Sequence, residues 1–404
     1  MSRGLLTTDS PLVERMRGFG TTIFAEMTAL AVSTGAVNLG QGFPDTDGPP
    51  AMLARAAAAM TQGVNQYPPG PGMPALREAV ARQRARDYGL EYSPADEILI
   101  TVGATEALNA TILALCEPGD EVVVLEPYYD VYAAAIALAG ATRVAVPLRP
   151  EPDGGRFALD PAELAAAISP RTRLILVNSP HNPTGTVLTA AELEAVADLC
   201  RTRDLIAVTD EVYEHLTFDG TRHLPLATLA DMRDRTVSIS SAGKTFSVTG
   251  WKIGWVCAPE PLVRAISTVH QFLTFTHSGP LQLAVADALD HETAWVEDLR
   301  RSLESRRDRL ATGLEAAGFA VHRPQATYFV LADGRSLGFD DGDVLARRMP
   351  TEVGVVGIPV GGFCDHPEVG RAFVRFTFCK RDDVLDDAVA RLTAWSGGTG
   401  RARL

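Results

Sequence analysis

Lysine is nearly missing from this 404-residue chain. Of its 37 basic residues only Lys244, Lys252 and Lys380 are lysine, and the rest are arginine. Arg and Lys serve almost equally well on a solvated surface. A lysine that persists among so many arginines is therefore a candidate for work that only a primary amine able to lose its proton can do, such as Schiff-base formation. Lys380, in Phe-Cys-Lys-Arg-Asp-Asp, reads as a chance survivor. Cysteine is also scarce. Cys116, Cys200, Cys257, Cys364 and Cys379 are odd in number and widely spaced, with no C-x-x-C, so neither a disulfide framework nor a zinc site is suggested. No basic stretch exceeds a few residues and the net charge is −13, which argues against nucleic acid as a partner and for an acidic soluble enzyme. No apolar run reaches the roughly eighteen residues of a membrane span. Met1 to Gly20 carries scattered charges and no apolar signal core, so a cytoplasmic chain with reduced thiols is expected. Internal repeats and low-complexity linkers are absent too.

The chain is 46% apolar, enough for a sizeable core. Between Glu97 and Pro259, short apolar runs alternate with longer helical patterns. Strands are expected at Glu97–Val102, Glu121–Glu126, Thr142–Leu148, Arg173–Asn178, Ile206–Thr209, Thr236–Ser240 and Trp255–Ala258. Asp160-Pro161-Ala162-Glu163 opens a helix with an N-cap, a first-turn proline and an acid. Thr189-Ala-Ala-Glu192 is a capping box. Strands alternating with helices predict a mainly parallel sheet covered on both faces. After a long amphipathic helix, about Glu292 to Ala317, the pattern changes to short strands and helices typical of a smaller α+β unit.

Polar groups cluster at the ends of the apolar strands, the edge where open parallel sheets bind ligands. Lys244 follows a strand and the small-residue turn Ser241-Ala242-Gly243; an amine in an apolar pocket there loses its proton more easily. Asp210-Glu211-Val212-Tyr213 ends another strand, and a buried carboxylate needs a cationic partner. Pro and Gly force a tight turn in Asn178-Ser179-Pro180-His181-Asn182-Pro183-Thr184-Gly185, where His181 reads as a loop residue. Gly103-Ala104-Thr105 joins a strand to a helix whose free N–H groups and dipole favour an anion. Arg375 alternates with apolar residues in Val374-Arg375-Phe376-Thr377-Phe378 and offers a fork for a carboxylate. Two Gly/Pro-rich loops, Asn38–Pro44 and Asn65–Gly72, complete the set.

Together these motifs resemble the pyridoxal-phosphate aminotransferases of fold type I, class I/II. The branch most like this chain holds kynurenine and glutamine transaminases, methionine aminotransferase and the actinobacterial N-succinyldiaminopimelate aminotransferases. The likeness runs from about Phe19 to Trp395 and includes the signature S-x-x-K-x-x-x-x-x-G-x-[KR] around Lys244. It implies a large α/β domain with a mainly parallel seven-stranded sheet between helices, and a smaller α+β domain. The expected division is 1–45, an N-terminal segment packing with the small domain; 46–290, the cofactor domain; and 291–404, the small domain.

The resemblance also implies roles. Lys244 is the Schiff-base partner of pyridoxal 5′-phosphate and then the base that moves the Cα proton to C4′. Asp210 pairs with the protonated pyridine nitrogen, while Tyr213 and Asn182 meet the ring's phenolic oxygen. Tyr128 stacks on the ring. Gly103, Ala104, Thr105, Ser241 and Lys252 seat the phosphate. Arg375 and Asn182 hold the substrate α-carboxylate, with Gly42, Phe24 and Tyr128 on the substrate side. Tyr67 reaches across a homodimer interface to the neighbour's phosphate. No metal, membrane or nucleic acid enters this picture. The expected reaction is ping-pong transamination between an L-amino acid, possibly N-succinyl-LL-2,6-diaminopimelate, and a 2-oxo acid such as 2-oxoglutarate. The distal carboxylates of that donor need a further cation, for which Arg17, Arg323 or an arginine of the second copy are candidates. The chain departs from kynurenine transaminases at Phe24, where Trp is common, and at Thr276, where His is common. Alternatives are a kynurenine/glutamine/methionine-type transaminase with β-elimination from cysteine conjugates, a secondary-metabolite aminotransferase, and a non-catalytic cofactor-binding regulator. The last lacks a DNA-binding segment.

Overall fold

A computed structural model describes residues 12–151 and 155–398 of the chain. Residues 1–11 of the expected N-terminal segment and 399–404 of the expected small domain lie outside the described residues.

After the helix Ile23–Thr34 the chain forms a short strand, β1 (Val37–Asn38), and then the strands of a large sheet: β2 (Ile98–Val102), β3 (Glu121–Glu126), β4 (Thr142–Pro150), β5 (Phe157–Leu159), β6 (Thr172–Asn178), β7 (Ile206–Asp210), β8 (Thr236–Ser241) and β9 (Ile253–Cys257). Their spatial order is β2-β9-β8-β7-β6-β3-β4-β5. The block from β8 to β4 is parallel, β9 runs antiparallel to both of its neighbours, and β5 folds back antiparallel on β4. Eight strands therefore stand where seven were expected. The extra one, three residues long, is too short to show a period in sequence.

The continuous apolar runs follow from burial on both faces. In β3, Val123 and Leu125 enter one core while Val122 and Val124 enter another on the opposite face. The same alternation holds in β6, where Ile175 and Val177 oppose Leu174 and Leu176. Helix starts form as the local chemistry dictates. The Asp160 side chain accepts from the Ala162 N–H, and Thr189 and Glu192 close a reciprocal capping box.

The C-terminal part adds β10 (Ala320–His322), β11 (Phe329–Asp333), β12 (Val355–Val356), β13 (Ile358–Pro359) and β14 (Phe373–Thr377). An antiparallel sheet of order β10-β11-β14-β13 results, and β1 pairs in parallel with β12. The described N-terminal residues thus join this second sheet region, and they carry Gly40 and Gly42 towards the large sheet's carboxyl edge.

That edge is tied down by a buried ion triad. Arg84, on the helix Pro74–Tyr88, donates to Glu211 Oε2 at 2.5 Å and Glu214 Oε2 at 2.7 Å, with all three side chains out of solvent. Thr209 Oγ1 donates to Glu211 Oε1 (2.8 Å) and Ser240 Oγ to Glu214 Oε1 (2.5 Å), so the turn after β7 is fixed from two sides. Removing one member of a buried ion group leaves the others uncompensated. Arg84→Ala is expected to lower stability by about 3–5 kcal/mol, seen as a fall in the urea midpoint; an unchanged midpoint contradicts this account.

Candidate active site

A cavity of about 380 Å³ opens at the carboxyl ends of β6, β7 and β8, beside the first turn of the helix Gly103–Leu115. Lys244 sits in it on the one-turn helix Ala242–Thr245 that follows β8. Its Nζ donates to Tyr328 Oη at 2.7 Å, and burial pulls the amine down from its ordinary value to about 8. A fraction of Lys244 is therefore a neutral nucleophile near neutral pH.

Asp210 ends β7, buried within the same cavity. Its Oδ2 accepts from Tyr132 Oη at 2.7 Å and its Oδ1 from the Val212 N–H at 3.3 Å. Burial raises this carboxyl, and the two hydrogen bonds oppose the rise. On the neighbouring strand end, Asn178 Nδ2 donates to the Asp210 carbonyl (2.8 Å) while its Oδ1 accepts from the Asn182 N–H (2.7 Å). One side chain thereby locks two strand ends and the Pro/Gly turn together. His181 in that turn is buried, contacts Thr184 Oγ1 at 2.9 Å and is pushed down to about 3 by burial, which keeps it neutral.

Arg375 arrives from β14. Nη1 donates to Asn182 Oδ1 (3.1 Å) and Nη2 to the Gly40 carbonyl (3.2 Å), and Nε has no partner. The guanidinium lies 4.0 Å from the Phe329 ring centroid and 5.2 Å from that of Phe24. No carboxylate among the described residues lies within ion-pair distance. Burial pulls this group down to about 10. A buried, unpaired cation facing a cavity is a seat for a carboxylate.

The opposite end of the cavity suits an anion. Gly103 has φ +72°, and a Cβ there would stand 3.5 Å from Lys252 Nζ. A Cβ on Gly254 would come within 2.6 Å of the Gly103 carbonyl carbon, so only glycine lets β9 approach the helix start this closely. The first-turn N–H groups and the Lys252 ammonium share that recess.

Comparison with known proteins agrees with this geometry. The family described as aminotransferase class I and II matches residues 34–392. The chain belongs to the class I and II aminotransferases. It is 55% identical over 390 residues to the probable N-succinyldiaminopimelate aminotransferase of Mycobacterium tuberculosis, covering 94% of this chain and 98% of that one. The structure titled as N-succinyldiaminopimelate aminotransferase from Mycobacterium tuberculosis superposes with a TM-score of 0.93, covering 95% of this chain and 100% of the other. Methionine aminotransferase of Escherichia coli is 40% identical over 387 residues, with 95% and 99% coverage. Kynurenine–oxoglutarate transaminase 3 of Mus musculus is 38% identical over 409 residues, with 95% and 90% coverage. The family and fold imply pyridoxal phosphate as cofactor, and the donor set fits it: an amine, a buried carboxylate and an anion recess surround one cavity.

The aminotransferase cavity gathers most of the residues singled out in sequence. Phe24, Gly42, Gly103, Ala104, Thr105, Asn182, Asp210, Tyr213, Ser241, Lys244, Lys252 and Arg375 all line it. Tyr128 does not, which corrects the expectation. Its hydroxyl donates to Asp365 Oδ1 (2.7 Å) and Arg143 stacks on its ring at 4.9 Å, so the ring is held outside the cavity. Tyr129, the next residue, lines the cavity in its stead. Tyr67 also lies outside, 84% exposed and edge-on to Phe275. Arg323 forks Glu315, and Arg17 Nε donates to the Leu12 carbonyl; neither lines the cavity.

Lys380 is no idle survivor. It is 5% exposed, pairs with Asp45 at 3.0 Å and donates to the Phe43 carbonyl at 2.9 Å. Tyr132 escaped sequence reasoning because its neighbours explain it as a helix-core aromatic, and Asn178 was read only as part of the Pro/Gly turn. Tyr328 is the hydrogen-bond partner of Lys244.

The depressed value of Lys244 makes stability pH-dependent. The unfolded chain, with Lys244 near its ordinary 10.5, binds more protons than the folded chain between about pH 8 and 10.5. Stability from this group is present above that window and is lost as pH falls through about 8. In cofactor-free protein, urea unfolding is expected to show the parent gaining on a Lys244→Met variant as pH rises from 8 to 10.5. A constant difference across those pH values contradicts the shift.

Proposed function

We propose that this aminotransferase holds pyridoxal phosphate through Lys244 and moves an amino group from N-succinyl-LL-2,6-diaminopimelate to a 2-oxo acid of the 2-oxoglutarate kind. The observation that carries the mechanism is Arg375, a buried cation with no counter-ion among the described residues, in the same cavity as an amine lowered to about 8. The donor assignment is supported by 55% identity over nearly the full length of both chains.

In this reading the Lys252 ammonium, Ser241 and the Gly103-Ala104-Thr105 turn hold the phosphate. Asp210, kept acceptor-ready by Tyr132 and the Val212 N–H, faces the pyridine nitrogen. Tyr213 and Asn182 meet the phenolic oxygen, and Tyr129 takes the stacking position. Bound pyridoxal phosphate supplies an electron sink for the pair left at Cα when its proton departs. Arg375 and Asn182 grip the α-carboxylate, which fixes the orientation of the Cα–H bond. Lys244, free and neutral, takes the Cα proton and later returns a proton to carbon. Phe24 and Phe43 line the substrate side of the cavity.

The same reading includes a homodimer. Tyr67, 84% exposed and outside its own cavity, supports the view that it completes the site of a second copy. The distal carboxylates of the donor then meet a cation from that copy, since Arg323 is already paired with Glu315. A division into a cofactor unit at 46–290 and a covering unit built from 1–45 and 291–404 belongs to the proposal. So does a cytoplasmic location, which the five free cysteines favour. No described helix is long and apolar enough to cross a membrane.

Lys244→Ala is expected to abolish turnover and the visible absorbance of the bound cofactor; near-parental turnover refutes the role of Lys244. Arg375→Ala removes a charged carboxylate partner, a loss of about 2–4 kcal/mol or roughly 30- to 700-fold in kcat/KM for α-amino acids. Amines without an α-carboxylate are expected to be spared. An unchanged KM for every amino acid donor rules out the clamp. Adding N-succinyl-LL-2,6-diaminopimelate to the holoenzyme is expected to bleach its absorbance, and 2-oxoglutarate to restore it; no bleaching removes this donor.

A further inference from the structure

We infer that Tyr328 is a positioning residue that holds the freed Lys244 amine in the pose from which it takes the Cα proton; the inference rests on the role of Lys244 proposed above. A phenol has one proton and two acceptor lone pairs. Tyr328 Oη lies 2.6 Å from the Gly42 carbonyl, which can only accept, so the phenol proton is committed there. Towards Lys244 Nζ, 2.7 Å away, Oη therefore presents a lone pair, and the amine donates. A neutral amine can make that bond and keep its own lone pair for a proton. Tyr328 thus fixes the nitrogen without consuming its basicity. Tyr328 is 1% exposed, so water does not compete for either bond.

The chain goes to some expense to aim this phenol. Thr327, immediately before it, has φ +72°. A β-branched residue in the left-handed region is strained, and such strain persists only where the surroundings over-determine it, commonly at functional positions. Here the surroundings do so. The Thr327 N–H donates to the Leu216 carbonyl (2.9 Å), and its Oγ1 accepts from the Phe329 N–H (3.2 Å). The Tyr328 carbonyl accepts from the Phe378 N–H (2.9 Å) and Thr377 Oγ1 (3.0 Å). The ring is braced edge-on by Tyr213 at 5.3 Å and Phe329 at 4.8 Å between centroids.

Gly42 completes the arrangement. A Cβ at Gly42 would stand 2.5 Å from Phe329 Cζ and 3.3 Å from Tyr328 Cε2, so a larger residue would push this loop off the phenol. Lys244, Tyr328 and the loop that lines the substrate side therefore form one hydrogen-bonded line. In the proton step the Cα–H bond breaks and an N–H bond forms on Lys244. Tyr328 keeps its proton on Oη, donated to the Gly42 carbonyl, throughout and serves as neither acid nor base.

The test is Tyr328→Phe in the holoenzyme, which deletes one oxygen and leaves the ring packing. Single-turnover reaction with L-glutamate, the amino form of the proposed acceptor, is followed by stopped-flow absorbance with hydrogen and with deuterium at Cα. The rate constant is expected to fall about 10- to 100-fold. The deuterium effect is expected to grow, while the glutamate dissociation constant and melting temperature stay at the parental values. A parental rate constant with a parental isotope effect overturns the inference. Weaker glutamate binding at an unchanged rate constant also overturns it, because Tyr328 then acts only through the Gly42 loop. Lys244→Ala, measured alongside, separates the two claims: turnover without Lys244 removes the reading beneath the inference, whatever Tyr328→Phe does.

Discussion

Arg375 is a guanidinium buried among phenylalanines with no carboxylate of the described residues in ion-pair contact, and much of the cavity's construction follows from that. Transfer of such a charge out of water is expensive unless hydrogen bonds and a counter-charge replace the hydration. The fold supplies two acceptors, Asn182 Oδ1 and the Gly40 carbonyl, and three ring faces, those of Phe24, Phe329 and Phe363. A carboxylate entering the cavity would meet the remaining deficit. Asn182 can accept because Asn178 orients its turn, and Gly40 can reach because β1 is tied to β12. A local charge at the middle of β14 therefore depends on contacts from three distant stretches of chain.

The two sheets divide the chemistry. The large sheet supplies groups at its carboxyl edge whose positions are fixed by parallel strand ends: Asn178, Asp210 and Ser241 end β6, β7 and β8 in turn. The smaller sheet and its flanks supply Arg375 and Tyr328 from the other side of the cavity. Behind the first group stands the triad of Arg84, Glu211 and Glu214. It consists of charges that never face the cavity, yet it holds the turn that carries Asp210 and Tyr213.

Most of the large sheet was legible in sequence, because strands buried on both faces leave continuous apolar runs and the intervening helices announce themselves with caps. β3 was bounded to the residue. What escaped was short or set by distant contacts. β5 has only three residues, and β9 runs antiparallel, a direction no local pattern encodes. The lysine, the strand-end carboxylate and the Pro/Gly turn were visible because each breaks its local pattern chemically. Tyr128 and Tyr129 show the opposite case. Adjacent and chemically identical, they differ only in which way the backbone turns them, and Asp365 and Arg143, far along the chain, decide that one of them stays outside. Lys380 was misread for a similar reason: Asp45, its partner, is remote in sequence. The bond between Tyr328 and Lys244 likewise joins residues brought together only by the fold.

The glycine pair at 103 and 254 has a consequence for engineering. A Cβ on Gly254 cannot be placed without moving a strand, and a side chain at Gly103 would carry the strain of φ +72°, so the anion recess is poorly retuned at either position. Phe24, Gln41 and Phe43 line the same cavity from a loop and a helix end that carry no such restriction. The cavity is therefore a fixed socket beside a wall of replaceable side chains, and redesign for other donors begins on that wall.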